Sequence, residues 1–190
     1  DSVDVFVTHA WSSPWWQRYL TLLIHFYWRP AIITMVAVGI VAFLLDLLNL
    51  LPTVRAAPLS LWDMKVDTAC WYPVPALAGL FVLFLSPAIA HWRQGGPKVF
   101  LDVVCINQAE EELKVEGVQS ISGFLNKSRS MLVLWAPQNL SRAWCVFELA
   151  TFIALHGDHH VIWCPIFLYS ISFIVLVGYV LYVITLVAES

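Results

Sequence analysis

Charged residues are scarce in this sequence, and several patterns that mark common classes of protein are missing. Only 12% of the 190 residues are charged and 60% are hydrophobic, whereas soluble domains carry about 25% charged residues. The formal net charge is -3 and there is no basic block, which argues against nucleic-acid binding. No short apolar run follows a basic start, so no secretory signal peptide is visible. The four cysteines lack CxxC spacing and are read as buried or free thiols, with no zinc signature: Cys70, Cys105, Cys145 and Cys164.

Three long apolar runs account for the low charge. They cover Ala31–Leu51, Val74–Trp92 and about Ile166–Val187, and each is long enough to cross about 30 Å of hydrocarbon as a helix. Pro30 is predicted to start the first helix. A buried core helix is the alternative for each run, and it fits the shorter second run best. The sequence therefore predicts a multi-pass integral membrane protein, with the lipid bilayer as a partner.

The basic residues predict the orientation of this protein. Four lie on the outer sides of the first two spans, namely Arg18, Arg29, Arg93 and Lys98. The connecting loop has two, Arg55 and Lys65. Because cytoplasmic segments carry the excess of Lys and Arg, the soluble part is predicted to face the cytoplasm.

The rest of the sequence has the pattern of a small α/β domain. Continuous apolar runs predict parallel strands covered on both faces at Asp4–Thr8, Lys98–Asp102 and Ser130–Trp135. Val161–Pro165 is predicted either to form a short fourth strand or to begin the third span. Alternating strands and helices indicate a small parallel doubly wound sheet, which places ligands at the carboxyl ends of its strands.

Helices are predicted on either side of these strands. An amphipathic helix is expected over Pro14–Trp28, and apolar residues recur at helical spacing between Val115 and Leu125. Another helix is expected from Arg142 to about Leu155. Ser141 is its predicted N-cap and Gly157 its predicted stop.

The membrane hairpin is predicted to be an insertion in the sequence of the soluble domain. Residues 1–29 and 93–165 are each too short to bury a core alone, so together they are expected to form one domain. Residues 30–92 are then an inserted hairpin, with helices at about 31–51 and 74–92. Residues 166–187 form the third membrane helix.

Three segments resemble the family of TIR (Toll/interleukin-receptor) domains. Residues 4–11, DVFVTHAW, are similar to the opening strand of that family, and Phe100-Leu101-Asp102 is similar to its second strand. Residues 141–149, SRAWCVFEL, resemble the S-x-W-C-x-x-E-L box of plant TIR domains. With residues 102–108, DVVCINQ, the likeness is greatest to membrane-anchored TIR-like proteins of algae and other protists. The resemblance implies a flavodoxin-like, TIR-like sheet.

The resemblance implies two different functions. Many TIR domains are interaction and signalling modules that associate with themselves or with other TIR-like domains. Others cleave NAD at the nicotinamide bond, with a glutamate that corresponds to Glu148 here. A carboxylate can stabilise the oxocarbenium charge that develops on the ribose. NAD would then be a substrate, and no resident cofactor or metal is predicted. The alternative for Glu148 is a structural glutamate that binds a backbone amide or an arginine, for example Arg142.

Other candidate ligand-binding residues follow from the same comparison. Trp11 could stack on a base and His9 could bind phosphate, although both could be packing residues. Asp102 ends the second strand and Trp144 shares a helical face with Glu148. The loop after the first strand lacks the arginine- and glycine-rich sequence of active members, which favours the interaction module over the NAD-cleaving enzyme.

Two remaining features indicate functions that are unrelated to the TIR resemblance, namely metal binding and transport. His156, Asp158, His159 and His160 could hold zinc or copper, but without a second ligand cluster a surface loop is the preferred interpretation. Asp46 lies inside the first span, where charged residues often mark a transport path. A transporter or channel fragment is therefore the most remote of the functions considered.

Overall fold

The structure is a computed structural model that describes residues 3–9, 13–51, 53–55, 67–69, 71–93, 95–101, 110 and 120–188. The chain divides into two compact units. The sheet unit comprises residues 1–21 and 94–169, and the helical unit comprises residues 22–93 and 170–190. This division has the same order of segments as the predicted one. The predicted limits of the membrane segments stay predictions, because the two units are defined by contacts and not by a bilayer.

The sheet unit is built on four parallel strands: β1 (Val3–His9), β4 (Val99–Leu101), β5 (Ser128–Trp135) and β6 (Val161–Pro165). Their order across the sheet is β4-β1-β5-β6, and each neighbouring pair is parallel. Phe6 lies beside Phe100 on one side and Met131 on the other. The predicted small parallel α/β sheet is thus confirmed. The segment before the third span forms a strand rather than the start of the helix.

Two helices of the sheet unit belong to its core. They are α3 (Ile121–Lys127) and α4 (Ala143–His156). Phe6, Met131 and Val133 from the sheet form one buried cluster with side chains of these helices, namely Ile121, Leu125 and Phe152. Val7, Leu132 and Leu134, which point to the other face, are also buried. A sheet covered on both faces explains why its strands are continuously apolar rather than alternating.

Of the two ends of α4, the sequence predicted the C-terminal end correctly and the N-terminal end wrongly. Ser141 is not the N-cap: its hydroxyl donates a hydrogen bond to the Gln138 carbonyl at 2.8 Å, within a short 3-10 helix at Asn139–Ser141. Arg142 occupies the N-cap position without a side-chain cap. Gly157 does end the helix, with φ of 83° and its N–H bonded to the Ile153 carbonyl at 2.9 Å. Glycine suits this left-handed position because it has no Cβ.

Three helices are long and apolar enough to cross a membrane: α1 (Trp15–Leu47), α2 (Pro73–Trp92) and α5 (Ile166–Ala188). This finding agrees with the prediction of a membrane protein. Most of α1 and α5 and the whole of α2 belong to the helical unit. Between α1 and α2, an antiparallel strand pair, β2 (Thr53–Arg55) and β3 (Asp67–Ala69), joins the two helices.

The start of the first long helix was predicted wrongly. Pro30 lies inside α1, which joins the predicted amphipathic helix to the first apolar run. A proline removes one backbone hydrogen bond, but helices in membranes tolerate this loss. The helix ends at Leu47, before the predicted Leu51, because Asn49 takes a left-handed conformation with φ of 54°. The N–H of Leu50 then bonds to the Leu45 carbonyl at 3.0 Å, which closes the helix end.

Small residues let the helices of the helical unit approach each other closely. A Cβ at Gly79 of α2 would lie 3.1 Å from the Cβ of Met35 and 3.2 Å from the carbonyl oxygen of Ala31, both in α1. A Cβ at Gly39 would lie 3.9 Å from Pro75. On the other side of α2, the ring of Phe84 meets the ring of Phe173 in α5 edge-to-face, with centroids 6.1 Å apart. Such packing of small residues is typical of helices in membranes.

Candidate functional site

The candidate site lies at the carboxyl edge of the sheet, between β1 and β5. The strand order reverses here, because β4 and β5 lie on opposite sides of β1. Doubly wound sheets bind ligands at such a reversal, outside the carboxyl ends of the strands. Thr8 and His9 end β1, Trp135 ends β5, and α4 follows shortly after β5. The topology therefore brings the end of β1 close to α4, the helix that contains most of the 141–149 segment.

Glu148 is bound to the end of β1 by a hydrogen bond. The Thr8 hydroxyl donates to its Oε2 at 2.6 Å, across 140 residues of sequence. Both side chains are buried, with 3% of Glu148 and 2% of Thr8 exposed. A distance of about 2.5–2.7 Å is typical of a hydroxyl bonded to a carboxylate. The predicted partner type was a backbone amide or an arginine, and the sequence did not single out Thr8.

A periodic face of α4 places Glu148 against the sheet. Cys145, Glu148 and Phe152 are the buried residues of this helix, at spacings of three and four. The Cys145 thiol donates to the carbonyl oxygen of His9 at 3.4 Å. Two contacts therefore hold α4 on the last two residues of β1. The cysteine of the box has a structural role here, which its position one turn before Glu148 would have allowed us to predict.

Asn139 fixes the chain where it leaves β5. Its Oδ1 accepts a hydrogen bond from the N–H of Ala136 at 3.1 Å, and its Nδ2 donates to the Leu134 carbonyl at 3.0 Å. The side chain is 2% exposed. It thus satisfies backbone groups that the end of the strand leaves unpaired. This residue was missed in the sequence, where an Asn just after a strand end is the available signal for such a turn.

Two of the other predicted site residues, His9 and Trp144, are among the described residues. His9 is 3% exposed at the end of β1, where its backbone accepts the Cys145 bond. Trp144 is 37% exposed and its ring lies 6.0 Å from that of Phe147, on the outer side of α4. Trp11 and Asp102 lie outside the described residues. Among the described residues, the structure thus joins Glu148 to Thr8 and places Trp144 on the outer side of the helix.

A small cavity lies at this edge. A cavity of about 10 Å³ is bordered by Thr8, Trp135, Asn139 and Cys145, and a volume of this size holds about one water molecule. Trp163 of β6 also borders it and meets Trp135 edge-to-face, with centroids 5.5 Å apart. Ligand pockets usually begin at about 300 Å³. This cavity is therefore too small to hold a dinucleotide.

Comparison with family models, curated proteins and solved structures finds no match to this chain. The site therefore has to be interpreted from its own geometry.

The histidine cluster does not form a metal site among the described residues. The Nε2 of His156 lies 3.1 Å from the Leu125 carbonyl and so joins α4 to α3. Asp158, His159 and His160 form an exposed 3-10 helix. The Nδ1 of His159 is 3.9 Å from a carboxylate oxygen of Asp158, and both side chains are mostly in solvent. This agrees with the preferred interpretation of the cluster as a surface segment.

Both cysteines in the described part of the chain, Cys145 and Cys164, are buried. Cys164 lies in β6 beside Trp163, and its Sγ is 3.6 Å from the hydroxyl of Tyr169. Burial raises the pKa of the Cys164 thiol, and the contact with Tyr169 acts in the opposite direction without reversing the effect. A buried thiol of raised pKa is a poor nucleophile at neutral pH, so Cys164 is a packing residue.

Proposed function

We propose that this chain is a membrane-anchored TIR-like interaction module, in which the outer face of α4 binds a second copy of the chain. The strand order supports the fold part of the proposal. When the strands of this sheet are numbered by their order in the sequence, their spatial order is 2-1-3-4. The first four strands of the flavodoxin-like order, 2-1-3-4-5, have the same arrangement. The box residues lie on the helix after the third strand of this sheet, at its reversal point.

The observation that carries the proposal is the apolar outer face of α4. Trp144, Phe147 and Leu155 recur at helical spacing and are 37%, 51% and 49% exposed. Val146 and Ile153 widen this face. Asp, Glu, Lys and Arg are otherwise absent between Ala143 and His156, where Glu148 is the single residue of these four types, and its side chain is buried. A helix that is apolar all round is normally covered, and interface cores are rich in aromatic residues and poor in charge.

A second copy is the occupant that this face fits. A two-fold contact needs only one face that is complementary to itself, and an uncharged apolar helix meets that condition. Anchoring by membrane helices holds copies in one plane, which raises their effective concentration for each other. The proposal keeps the sheet unit in the cytoplasm, on the basis of the excess of Lys and Arg on that side of the hairpin.

Self-association is tested by energy transfer between labelled copies of the full chain in liposomes at low protein density. Phe147→Ser is expected to weaken association at least about tenfold, since a central aromatic residue is worth about 2 kcal/mol or more at an interface. Ile162→Ser is the matched control, because Ile162 is 40% exposed on β6 and lies away from this face. Equal association of the wild type and Phe147→Ser would overturn the proposal and leave the lipid surface as what covers α4.

NAD cleavage is the second candidate function, and the position of Glu148 at the reversal point favours it. Against it stands the bond from Thr8, because the carboxylate is buried and already engaged. We expect no NAD consumption by purified protein at high concentration, for either the wild type or Glu148→Gln. Consumption by the folded wild type, abolished in Glu148→Gln, would instead establish an NAD-cleaving enzyme.

A further inference from the structure

The helical unit contains a candidate binding site of its own. An apolar groove of about 270 Å³ runs between α1, α2 and α5. Its walls include Trp28 and Met35 on α1, Leu80 and Leu83 on α2, and Ser172 and Phe173 on α5. The close approach of Gly79 to Met35 joins α1 to α2, and the Phe84–Phe173 ring pair joins α2 to α5. All three helices that form the groove are long and apolar enough to cross a membrane.

The chemistry of the walls restricts what can occupy the groove. Ser172 is the one hydroxyl among the lining residues, and the Trp28 indole is the only other polar group on a lining side chain. The groove is therefore suited to a hydrocarbon chain and offers few partners to a polar ligand. Its volume is close to the roughly 300 Å³ at which ligand pockets begin, which is room for part of a single chain.

A positive charge lies beside a residue that lines this groove. The guanidinium carbon of Arg29 is 5.6 Å from the ring centroid of Trp28, which is itself a lining residue. Arg29 is exposed, and among the described residues no carboxylate lies within ion-pair distance of it. Trp and Arg side chains are typical of the level of lipid headgroups. Basic sites between membrane helices bind anionic headgroups.

We propose that this groove binds one anionic phospholipid, with an acyl chain between the three helices and the phosphate on Arg29. The apolar walls select a hydrocarbon chain, and the guanidinium selects a negatively charged headgroup through a charge-assisted hydrogen bond. The Trp28 ring holds the guanidinium by a cation–π contact and so positions it beside the groove. The acyl chain and the phosphate of the lipid thus meet at two neighbouring residues of α1, Trp28 and Arg29.

The test uses the full chain in detergent, with native mass spectrometry to count bound lipids. Phosphatidylglycerol and phosphatidylcholine with the same acyl chains are added in turn. We expect one phosphatidylglycerol per wild-type chain, preferred about fivefold over phosphatidylcholine, as suits one arginine at the headgroup level. Arg29→Gln is expected to abolish the preference and Arg29→Lys to retain most of it. Arg93→Gln is the matched control and is expected to behave as the wild type.

A second variant tests the groove itself. Ser172→Phe is expected to fill it and to lower the binding of both lipids at least about fivefold, because the space for the chain is lost. Val175→Phe adds the same ring to an exposed position of α5 that does not line the groove, and we expect no change. The proposal is overturned if the wild type shows no headgroup preference, if Arg93→Gln removes it as fully as Arg29→Gln does, or if Ser172→Phe binds both lipids as the wild type does.

Discussion

Glu148→Ala is expected to lower the free energy of unfolding of the sheet unit by about 3 kcal/mol, because it removes a buried bond and leaves a small cavity. The Thr8 hydroxyl would lose the carboxylate that it now contacts at 2.6 Å. A buried polar group that loses its partner costs about 1–3 kcal/mol. Amide hydrogen exchange of peptides from β1 and β5 measures this change, since it reports the free energy of opening in that part of the chain.

The partner residue gives an independent check of the same bond. Thr8→Val keeps the shape of the side chain and is expected to cost about 2 kcal/mol, since the buried carboxylate loses its donor. Thr8→Val combined with Glu148→Leu is expected to cost clearly less than the sum of the two single changes, by about 1 kcal/mol or more. Strict additivity of the two changes would contradict a direct bond between them.

The matched control lies on the same helix. Thr151→Val makes the same chemical change at a half-buried position of α4, outside its buried face, and is expected to change stability by less than about 0.5 kcal/mol. A loss at Thr151 equal to that at Thr8 would mean that any Thr→Val change weakens the unit, and the bond to Glu148 would not be the cause.

This expected loss of stability affects how enzyme assays must be designed. If Glu148→Ala partly unfolds the sheet unit, its lack of any activity would say nothing about catalysis. Glu148→Gln keeps the size of the side chain and an oxygen that can accept the bond from Thr8. It is therefore the better variant for testing NAD cleavage, provided that hydrogen exchange shows the unit intact.

Much of the architecture could be predicted from local sequence patterns. The three long apolar helices follow from run length alone, and the parallel sheet follows from runs such as Met131–Trp135 of β5 that are apolar without alternation. The left-handed end of α4 follows from Gly157, the residue best suited to that conformation. In each case the physical cause acts within a few residues of the pattern that reveals it.

The features that could not be predicted depend on distant contacts or on the surroundings of the chain. Nothing near Thr8 in sequence indicates that it meets Glu148, because the two are 140 residues apart. The helix passes through Pro30, although a proline in a soluble helix interior costs about 3 kcal/mol. In a membrane helix this cost is tolerated, because neighbouring helices and local adjustments of the backbone satisfy the freed groups. Trp144 was assigned to the face of Glu148 by spacing alone, but burial places it on the outer side.

The second large effect is expected at Gly79 in the helical unit. Gly79→Leu should destabilise the contact between α1 and α2 by about 3 kcal/mol, at the upper end of the range for overpacked sites. Even a Cβ would lie 3.1 Å from the Cβ of Met35 and 3.2 Å from the Ala31 carbonyl oxygen. That oxygen belongs to the helix backbone and cannot rotate away, so α1 itself would have to move.

Disulfide trapping between the two helices measures this contact. A Cβ at Gly39 would lie 3.9 Å from the Cβ of Pro75, which is close to the mean of about 3.8 Å in disulfides. Gly39→Cys with Pro75→Cys is therefore expected to oxidise readily in membranes, with the bond located by peptide mapping. Adding Gly79→Leu should slow its formation at least about tenfold, because the helices no longer approach each other closely.

The size of the side chain provides the decisive comparison. Gly79→Ala is expected to have a small effect and Gly79→Leu a large one, since each added carbon extends further into α1. Gly178→Leu makes the same change in α5, where a Cβ would meet nothing within 4 Å, and should leave the rate of trapping unchanged. If Gly79→Leu and Gly178→Leu slowed trapping equally, the effect would come from the larger side chain in the membrane. If only Gly79→Leu slows it, the close approach at Gly79 is what holds α2 against α1, and with it one wall of the lipid groove against the next.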